Sequence, residues 1–219
     1  MKTIAVLAPV LRRPQNVRPL IDSLNESTDD ATLYFIANDD DVAELDEIRA
    51  AGGNVILCPD VSWAKKINYG FKNTVEPWVL LGADDIRFRP GWVETVRNDL
   101  ESFYGVIGTN DLGNINTMTG TTSTHPLVNR KYVIDLGTID VRGDVVHAGY
   151  HHNYPDTELC ETAKHRGMYK HRLDCCIEHF HPAWGKAVDD EVYLLGRARL
   201  HEDSLTFAGR MAHLRNIPR

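Results

Sequence analysis

The chain has 219 residues, 42% of them hydrophobic and 25% charged, which is enough apolar material for a sizeable core. Its 31 acidic residues outnumber 24 basic ones, for a net charge of −7; this excludes a protein that coats nucleic acid by charge alone and leaves room for a local basic groove. No apolar run approaches the roughly 20 residues of a membrane span. The four cysteines, Cys58, Cys160, Cys175 and Cys176, form no CxxC pair, as expected of a reduced, intracellular protein.

The start, Met1-Lys2-Thr3 followed by the apolar Ile4 to Ala8, reads as too short for a signal peptide. Thr3 to Ala8 reads as a first strand, and Arg12-Arg13-Pro14 as a loop. Val17, Leu20, Ile21 and Leu24 then fall at helical spacing, with Asn16 as the expected N-cap. A second strand, Thr32 to Ala37, runs into Asn38-Asp39-Asp40-Asp41, and a helix from Val42 to Ala51 stops at Gly52-Gly53. Asn54 to Leu57 reads as strand, Trp63 to Thr74 as helix, Trp78 to Leu81 as strand, Gly91 to Phe103 as helix and Gly105 to Gly108 as strand.

The second half has a different texture. Asp111 to Thr124 is rich in Asn, Thr and Gly and reads as a long loop of functional character. Order returns over Leu127 to Leu136. Val145 to Pro155 carries His147, His151 and His152. A helix is expected over Asp156 to Arg166, a strand over Cys175 to Phe180, and a helical tail over Asp189 to His213, broken near Leu200-His201.

Strands alternating with helices imply an α/β chain with a mainly parallel sheet, whose ligands bind at the carboxyl ends of the strands. Three such ends carry polar clusters: Pro9 to Arg13, Asn38 to Asp41, and Asp84-Asp85. Adjacent carboxylates at the end of an apolar strand are costly to bury and repel each other. They are either solvated in a turn or neutralised by a cation. Three clusters on one rim favour a nucleotide-type pocket with a metal, since Mg²⁺ and Mn²⁺ use few carboxylates and complete their shells with phosphate oxygens.

Two later segments carry further chemistry. In Asn153 to Leu159, Asp156 is either a helix N-cap or a general base at a helix tip. In "CCIEHFHP", His179, His181 and Cys175 share a strand face and Cys176 does not. A Cys/His zinc site is conceivable there, but one histidine joining the Asp84-Asp85 cation, with core cysteines, is the favoured reading. No GxGxxG, GxxxxGK[ST] or GxSxG is present, so neither a dinucleotide enzyme, a P-loop NTPase nor a nucleophile elbow is indicated.

The ordered set of motifs resembles GT-A glycosyltransferases of the family 2-like group, especially small, often phage-encoded members. "APVLRRPQNVRPLIDSL" resembles the group's opening strand, loop and helix. "NDDD" resembles its nucleobase-binding turn, "WAKKINYGF" its basic-x-Asn segment and "LLGADDIRFRPGW" its DXD region. "NYPDTELCETAKHRG" resembles the segment that supplies the base, and "HFHPAWGKAVDDEVY" the late metal-histidine segment. The match runs over about residues 1 to 195. Ala83 stands where a full D-x-D would have Asp, which puts metal affinity in question.

The resemblance implies a GT-A (Rossmann-like) fold in one domain. Residues 1–110 would form a nucleotide-sugar half, 111–186 an acceptor and catalytic half, and 187–219 a helical tail. Pro9, Arg12, Asn38, Asp39 and Lys66 would surround the nucleoside, with Asn68 near and Asp84 by the ribose or a phosphate. Asp85 and His181 would hold Mn²⁺ or Mg²⁺, with His179 as the rival ligand. Asp156 would be the base of an inverting transfer from a nucleoside-diphosphate sugar, UDP-linked by preference. Asp111 to Thr124 and His147 to His152 would form the acceptor side. The acceptor hydroxyl would lie on a modified DNA base, a protein or a glycan, in the cytoplasm, a phage host's included. A lipid is disfavoured. Competing readings are a nucleotidyltransferase, a non-catalytic nucleotide-sugar binder, and a DNA- or capsid-associated module. Arg87, Arg89, Arg97, Arg130, Lys131, Lys164, His165 and Arg166 form either a basic surface or an ordinary solvated face.

Overall fold

The computed structural model describes residues 2–218; Met1 and Arg219 lie outside the described residues. In chain order its elements are β1 (Ile4–Pro9), α1 (Val17–Ser27), β2 (Ala31–Ala37), α2 (Val42–Ala50), β3 (Asn54–Leu57), α3 (Trp63–Lys72), β4 (Trp78–Leu81), β5 (Ile86–Phe88) and α4 (Trp92–Ser102). Then follow β6 (Val106–Asn110), α5 (Ile115–Met118), β7 (Leu127–Asn129), α6 (Arg130–Asp135), α7 (Pro155–His165), β8 (Tyr169–His179), α8 (Glu191–Ala198) and α9 (Leu200–Arg215). The strands form one sheet in the order β3-β2-β1-β4-β7-β6-β8-β5.

β1 shows why the first half folds as it does. All six of its residues are buried, as befits a central parallel strand covered on both faces. Ile4, Val6 and Ala8 point to one face, into a core with Val17, Leu20 and Leu24 of α1. Ala5 and Leu7 point to the other, against Ala64, Ile67 and Phe71 of α3. β1 pairs in parallel with β2 and β4, and β2 with β3, which sets their carboxyl ends on one edge. Beyond β4 the sheet is mixed: β7 runs antiparallel to β4 and β6, β6 runs parallel to β8, and β5 closes the far side antiparallel to β8.

Several sequence expectations are corrected. Asn16 does not cap α1 with its side chain; a 3₁₀ turn, Pro14–Asn16, leads straight into the helix. Asp156 is not the cap of α7 either. Tyr154 holds that place in a left-handed conformation (φ 72°), and Pro155 begins the helix. The loop from Asp111 to Thr124 is not structureless. It contains α5 and is organised by Asp111, whose Oδ1 accepts from the backbone N–H groups of Gly113 (3.0 Å) and Asn114 (2.8 Å) and from Thr117 Oγ1 (2.6 Å). The strand expected over Cys175 to Phe180 begins at Tyr169, and β5 went unpredicted. Cys175 is core. The tail breaks between α8 and α9, at Arg199, as expected. Most of the basic residues on the surface are engaged: Arg89 with Glu178, Arg97 with Asp30 and Glu94, Lys131 with Asp135, and Lys164 with Glu161.

Candidate functional site

The site begins where β4 ends. Gly82 donates its N–H to the Leu7 carbonyl (2.8 Å), and a Cβ at this position would stand 2.7 Å from that oxygen. Only glycine lets the chain leave β4 pressed against β1. Two residues later come Asp84 and Asp85, only 4% and 6% exposed. Their burial is compensated locally. Arg13, from the loop after β1, places Nη1 3.2 Å from Asp84 Oδ1 and 3.6 Å from Asp85 Oδ2. The other edge of the same guanidinium donates to both oxygens of Asp190, from Nε at 2.8 Å and Nη2 at 2.7 Å. Asp85 Oδ2 also receives the Tyr193 hydroxyl at 2.8 Å and lies 3.4 Å from His179 Nε2.

These partners divide the two carboxyls. Burial and the neighbouring Asp85 charge push Asp84 well above the usual carboxylate range, against the pull of Arg13. Burial also acts to raise Asp85, but His179 and the Tyr193 hydroxyl outweigh it and hold that carboxyl well below its usual range. His179 is the reciprocal case. Burial disfavours its charge, yet Asp85, Asp111 and Asp156 together raise it above an ordinary imidazole. Its Nδ1 lies 4.0 Å from Asp111 Oδ2. Burial, reinforced by positive His179, pushes His125 and His181 down to about 4, so both rings are neutral near pH 7.

A cavity of about 790 Å³ opens over these groups. Its wall includes Asp84, Asp85, His125, His179 and His181, and also Tyr154 and Asp156 at the start of α7. Asp156 is pushed up to about 6, chiefly by burial. Of the three non-glycine residues with positive φ among the described residues, Arg12 (52°) and Tyr154 (72°) stand on this wall. Such conformations are costly and recur at functional sites.

The wall suits a hard cation shared with a substrate. Asp85 is ionised and His181 neutral, as ligation requires. His125 Nε2, His179 Nδ1 and Trp184 Nε1 are buried without a hydrogen-bond partner among the described residues, although all three residues line the cavity. Among the described residues no group of three or more His, Cys, Asp or Glu side chains is arranged to hold a metal unaided. A cation here needs phosphate oxygens to complete its shell, which is how Mg²⁺ and its relatives are usually bound.

The structure gathers some of the residues singled out from sequence and disperses others. Pro9, Arg12, Lys66, Asp84, Asp85, Asp156 and His181 all line the cavity. Lys66 is 1% exposed, donates to the Val10 carbonyl (2.7 Å) and has its pKa lowered, mainly by burial. Asn38, Asp39 and Asn68 are not on the wall. Asn38 ties the carbonyls of Cys58 (3.1 Å) and Asp60 (3.0 Å), and Asp39 is exposed. The Asn68 side chain is consumed in a clamp: its oxygen accepts from the N–H groups of Val145 (2.8 Å) and Val146 (3.1 Å), and its amide donates to the Val146 carbonyl (2.8 Å). On the expected acceptor side, Asn114, Thr124, His151 and His152 reach the cavity. Arg13, His125, Tyr193 and Asp190 were not singled out as site residues. Arg13 lay inside a recognised strand-end cluster. Tyr193 and Asp190 lay inside the late histidine segment, but nothing local pointed to Asp85 and Arg13, their partners more than a hundred residues away.

Solved structures share this architecture. Glucosyl-3-phosphoglycerate synthase from Mycobacterium tuberculosis, in complex with Mn²⁺, UDP-glucose and phosphoglyceric acid, matches 100% of this chain and 81% of its own at a TM-score of 0.65 and 15% identity. A mannosyltransferase from Pyrobaculum calidifontis, in complex with GDP-Man and Mn²⁺, matches 84% of this chain at a TM-score of 0.64 and 10% identity. The match spans 58% of that mannosyltransferase's own length. No protein-family model and no curated protein matches the sequence. The fold is therefore the GT-A arrangement: a curled, mainly parallel sheet flanked by helices, with its polar cavity at the strand ends.

Proposed function

We propose that this chain is a glycosyltransferase that moves a sugar from a nucleoside-diphosphate donor, UDP-linked by preference, to a hydroxyl acceptor. The observation that carries the reading is the meeting of Asp85, His181 and Asp156 on one cavity at the carboxyl ends of β1 and β4. Residues 1–110 supply the donor side, 111–186 the acceptor side, and 187–219 close over both, within one domain. Pro9, Arg12 and Lys66 face the nucleoside and its phosphates. Asp85 and His181 are the residues that would hold Mn²⁺ or Mg²⁺ against the diphosphate. When bound, the cation offsets the charge that gathers on the leaving group.

The remaining chemistry belongs to the chain. At neutral pH Asp156, with a pKa of about 6, is mostly ionised and able to accept a proton. It takes the proton of the acceptor hydroxyl as that oxygen attacks the anomeric carbon. A bond from acceptor oxygen to carbon forms, the bond from carbon to the diphosphate oxygen breaks, and the electron pair leaves with the nucleoside diphosphate. One displacement inverts the anomeric configuration. The pairing of Arg89, Arg97, Lys131 and Lys164 with carboxylates leaves less free positive surface for a DNA duplex, phage-borne or not. Among the described residues no helix is long and apolar enough to cross a membrane, which accords with an acceptor met in the cytoplasm.

The test is a panel of UDP- and GDP-sugars with Mn²⁺, read by thermal shift and by nucleotide released. Stabilisation with slow release, both lost on adding EDTA, is the expected result. Stabilisation without release identifies a binder. A protein indifferent to every donor is not a glycosyltransferase of this kind.

A further inference from the structure

The fork of Arg13 is occupied by the protein itself. Its Nε and Nη2 meet the two oxygens of Asp190 in parallel, the bidentate arrangement that a guanidinium offers equally to carboxylate and to phosphate. Arg13 is 4% exposed and lines the cavity, whereas the Asp190 side chain is 37% exposed and can return to water at little cost. Asp190 is the cap of α8, and the same helix lays the Tyr193 hydroxyl on Asp85 and the Glu191 carboxylate on Arg12 (2.8 Å). The anionic groups of one short helix thus sit on both arginines of the β1 loop. The Tyr193 ring also stacks 3.8 Å beneath the Arg13 guanidinium.

Charge decides what must leave. Around Arg13 stand the carboxyls of Asp84, Asp85 and Asp190; Asp84 is raised toward its neutral form, and the charges of Asp85 and Asp190 are faced by Arg13, by His179 and, on the Asp85 side, by Arg87. A diphosphate adds further negative charge to this cluster, and like charges so close repel strongly where water is scarce. Asp190 is the one carboxylate of the three that is partly solvated and carried on a peripheral helix.

We propose that Arg13 is a diphosphate-binding residue and that Asp190 holds its place in the free protein, so that donor binding exchanges carboxylate for phosphate on one guanidinium and lifts α8, uncovering Asp85. This rests on the donor reading above and adds to it a phosphate-binding residue and a built-in competitor. The competitor lowers apparent donor affinity by the fraction of molecules in which Arg13 is free.

Asp190→Asn tests this directly, because asparagine caps a helix as well as aspartate does and cannot compete as an anion. Calorimetric titration of the full chain, with Mn²⁺ present, compares UDP, GDP and inorganic pyrophosphate with uridine and guanosine. Asp190→Asn should bind the diphosphates roughly tenfold more tightly and the nucleosides unchanged, by relief of that competition. Arg13→Lys, which keeps the charge and loses the fork, should weaken the diphosphates alone. If the parent protein binds UDP or GDP and Asp190→Asn binds them no better, the exchange is wrong and the donor reading stands. If neither protein binds any diphosphate, both fall together.

Discussion

Asp156 shows how far one residue could be read from sequence and where structure had to take over. Its place in an Asn-Tyr-Pro-Asp run left cap and base equally open. The structure gives the cap position to Tyr154 and sets Asp156 in the first turn of α7, on the cavity wall. Asp85 and His181 were singled out because a carboxylate pair after an apolar strand and a late His-x-His suggested a cation site, and the structure sets both on the same cavity wall. Asn38 and Asn68 were legible only as polar residues near strand and helix ends. Nothing local distinguishes an amide facing a ligand from one that clamps a loop seventy-odd residues away. With a pKa near 6, Asp156 should govern the acid limb of the rate. kcat/KM should fall roughly tenfold per pH unit below about 6, as the base is protonated. Asp156→Asn should lower turnover about 10²- to 10⁴-fold and leave donor affinity nearly unchanged, as measured by single-turnover kinetics and titration. The sign of its effect on stability is opposite to that of a salt-bridged carboxylate. Because the folded value lies above the unfolded one, the contribution of Asp156 is present below about pH 4 and is lost as pH rises through 6. Asp156→Asn should therefore flatten the melting temperature between those values. Unchanged turnover in the variant removes Asp156 from the reaction.

At the scale of elements, the parallel half was plain and the mixed half was not. β1, β2 and β4 are apolar runs bounded by turn residues, and α1, α3 and α4 carry clear apolar stripes. β5 has three residues and pairs only with β8, so no periodicity marks it. The first part of β8, Tyr-Lys-His-Arg-Leu-Asp, is polar and half-exposed, and it is a strand because β6 pairs with it rather than by its own pattern. What aims the site is the exit from β4. Gly82 permits the close approach of β4 to the Leu7 carbonyl, a backbone atom that cannot move aside as a side chain does. Gly82→Ala should cost about 1–3 kcal/mol by overpacking, read as a fall of about 2–4 °C in Tm per kcal/mol. It should also displace Asp84 and Asp85 and weaken the Mn²⁺-dependent thermal shift with donor. A variant with parental Tm and parental shift would mean that the strand exit does not set the site.

The whole molecule is held around its cavity by a tail whose helices were predictable and whose purpose was not. Asp203 of α9 accepts the backbone N–H groups of His151 (2.9 Å), His152 (3.0 Å) and Asn153 (2.7 Å), which fixes the approach to α7. Phe207 stacks on Tyr154 with ring centroids 4.9 Å apart. Arg210 grips Glu158 from Nε (2.6 Å) and Nη2 (2.8 Å) while also reaching Asp140, and the Tyr150 hydroxyl donates to the same Glu158 at 2.7 Å. Glu158 lies two residues after Asp156 in α7 and is 2% exposed. An amphipathic stripe cannot announce such contacts, because Asp203 and Arg210 put charged groups on the inward face of α9 and their partners lie about fifty positions away. They make the tail a strap that holds α7, which carries Asp156 on the cavity wall. Removing Arg210 leaves a buried carboxylate unpaired, which typically costs about 3–5 kcal/mol. Arg210→Ala should therefore lower the urea midpoint sharply. Glu158→Gln added to it should restore much of the loss, since the amide carries no charge to compensate and still accepts from Tyr150. In the folded fraction of Arg210→Ala, turnover should fall while donor affinity holds, because the strap acts on α7 and not on the strand ends. A midpoint within about 1 kcal/mol of the parent, the range of an exposed ion pair, would place the pair at the surface energetically and free the tail from this role.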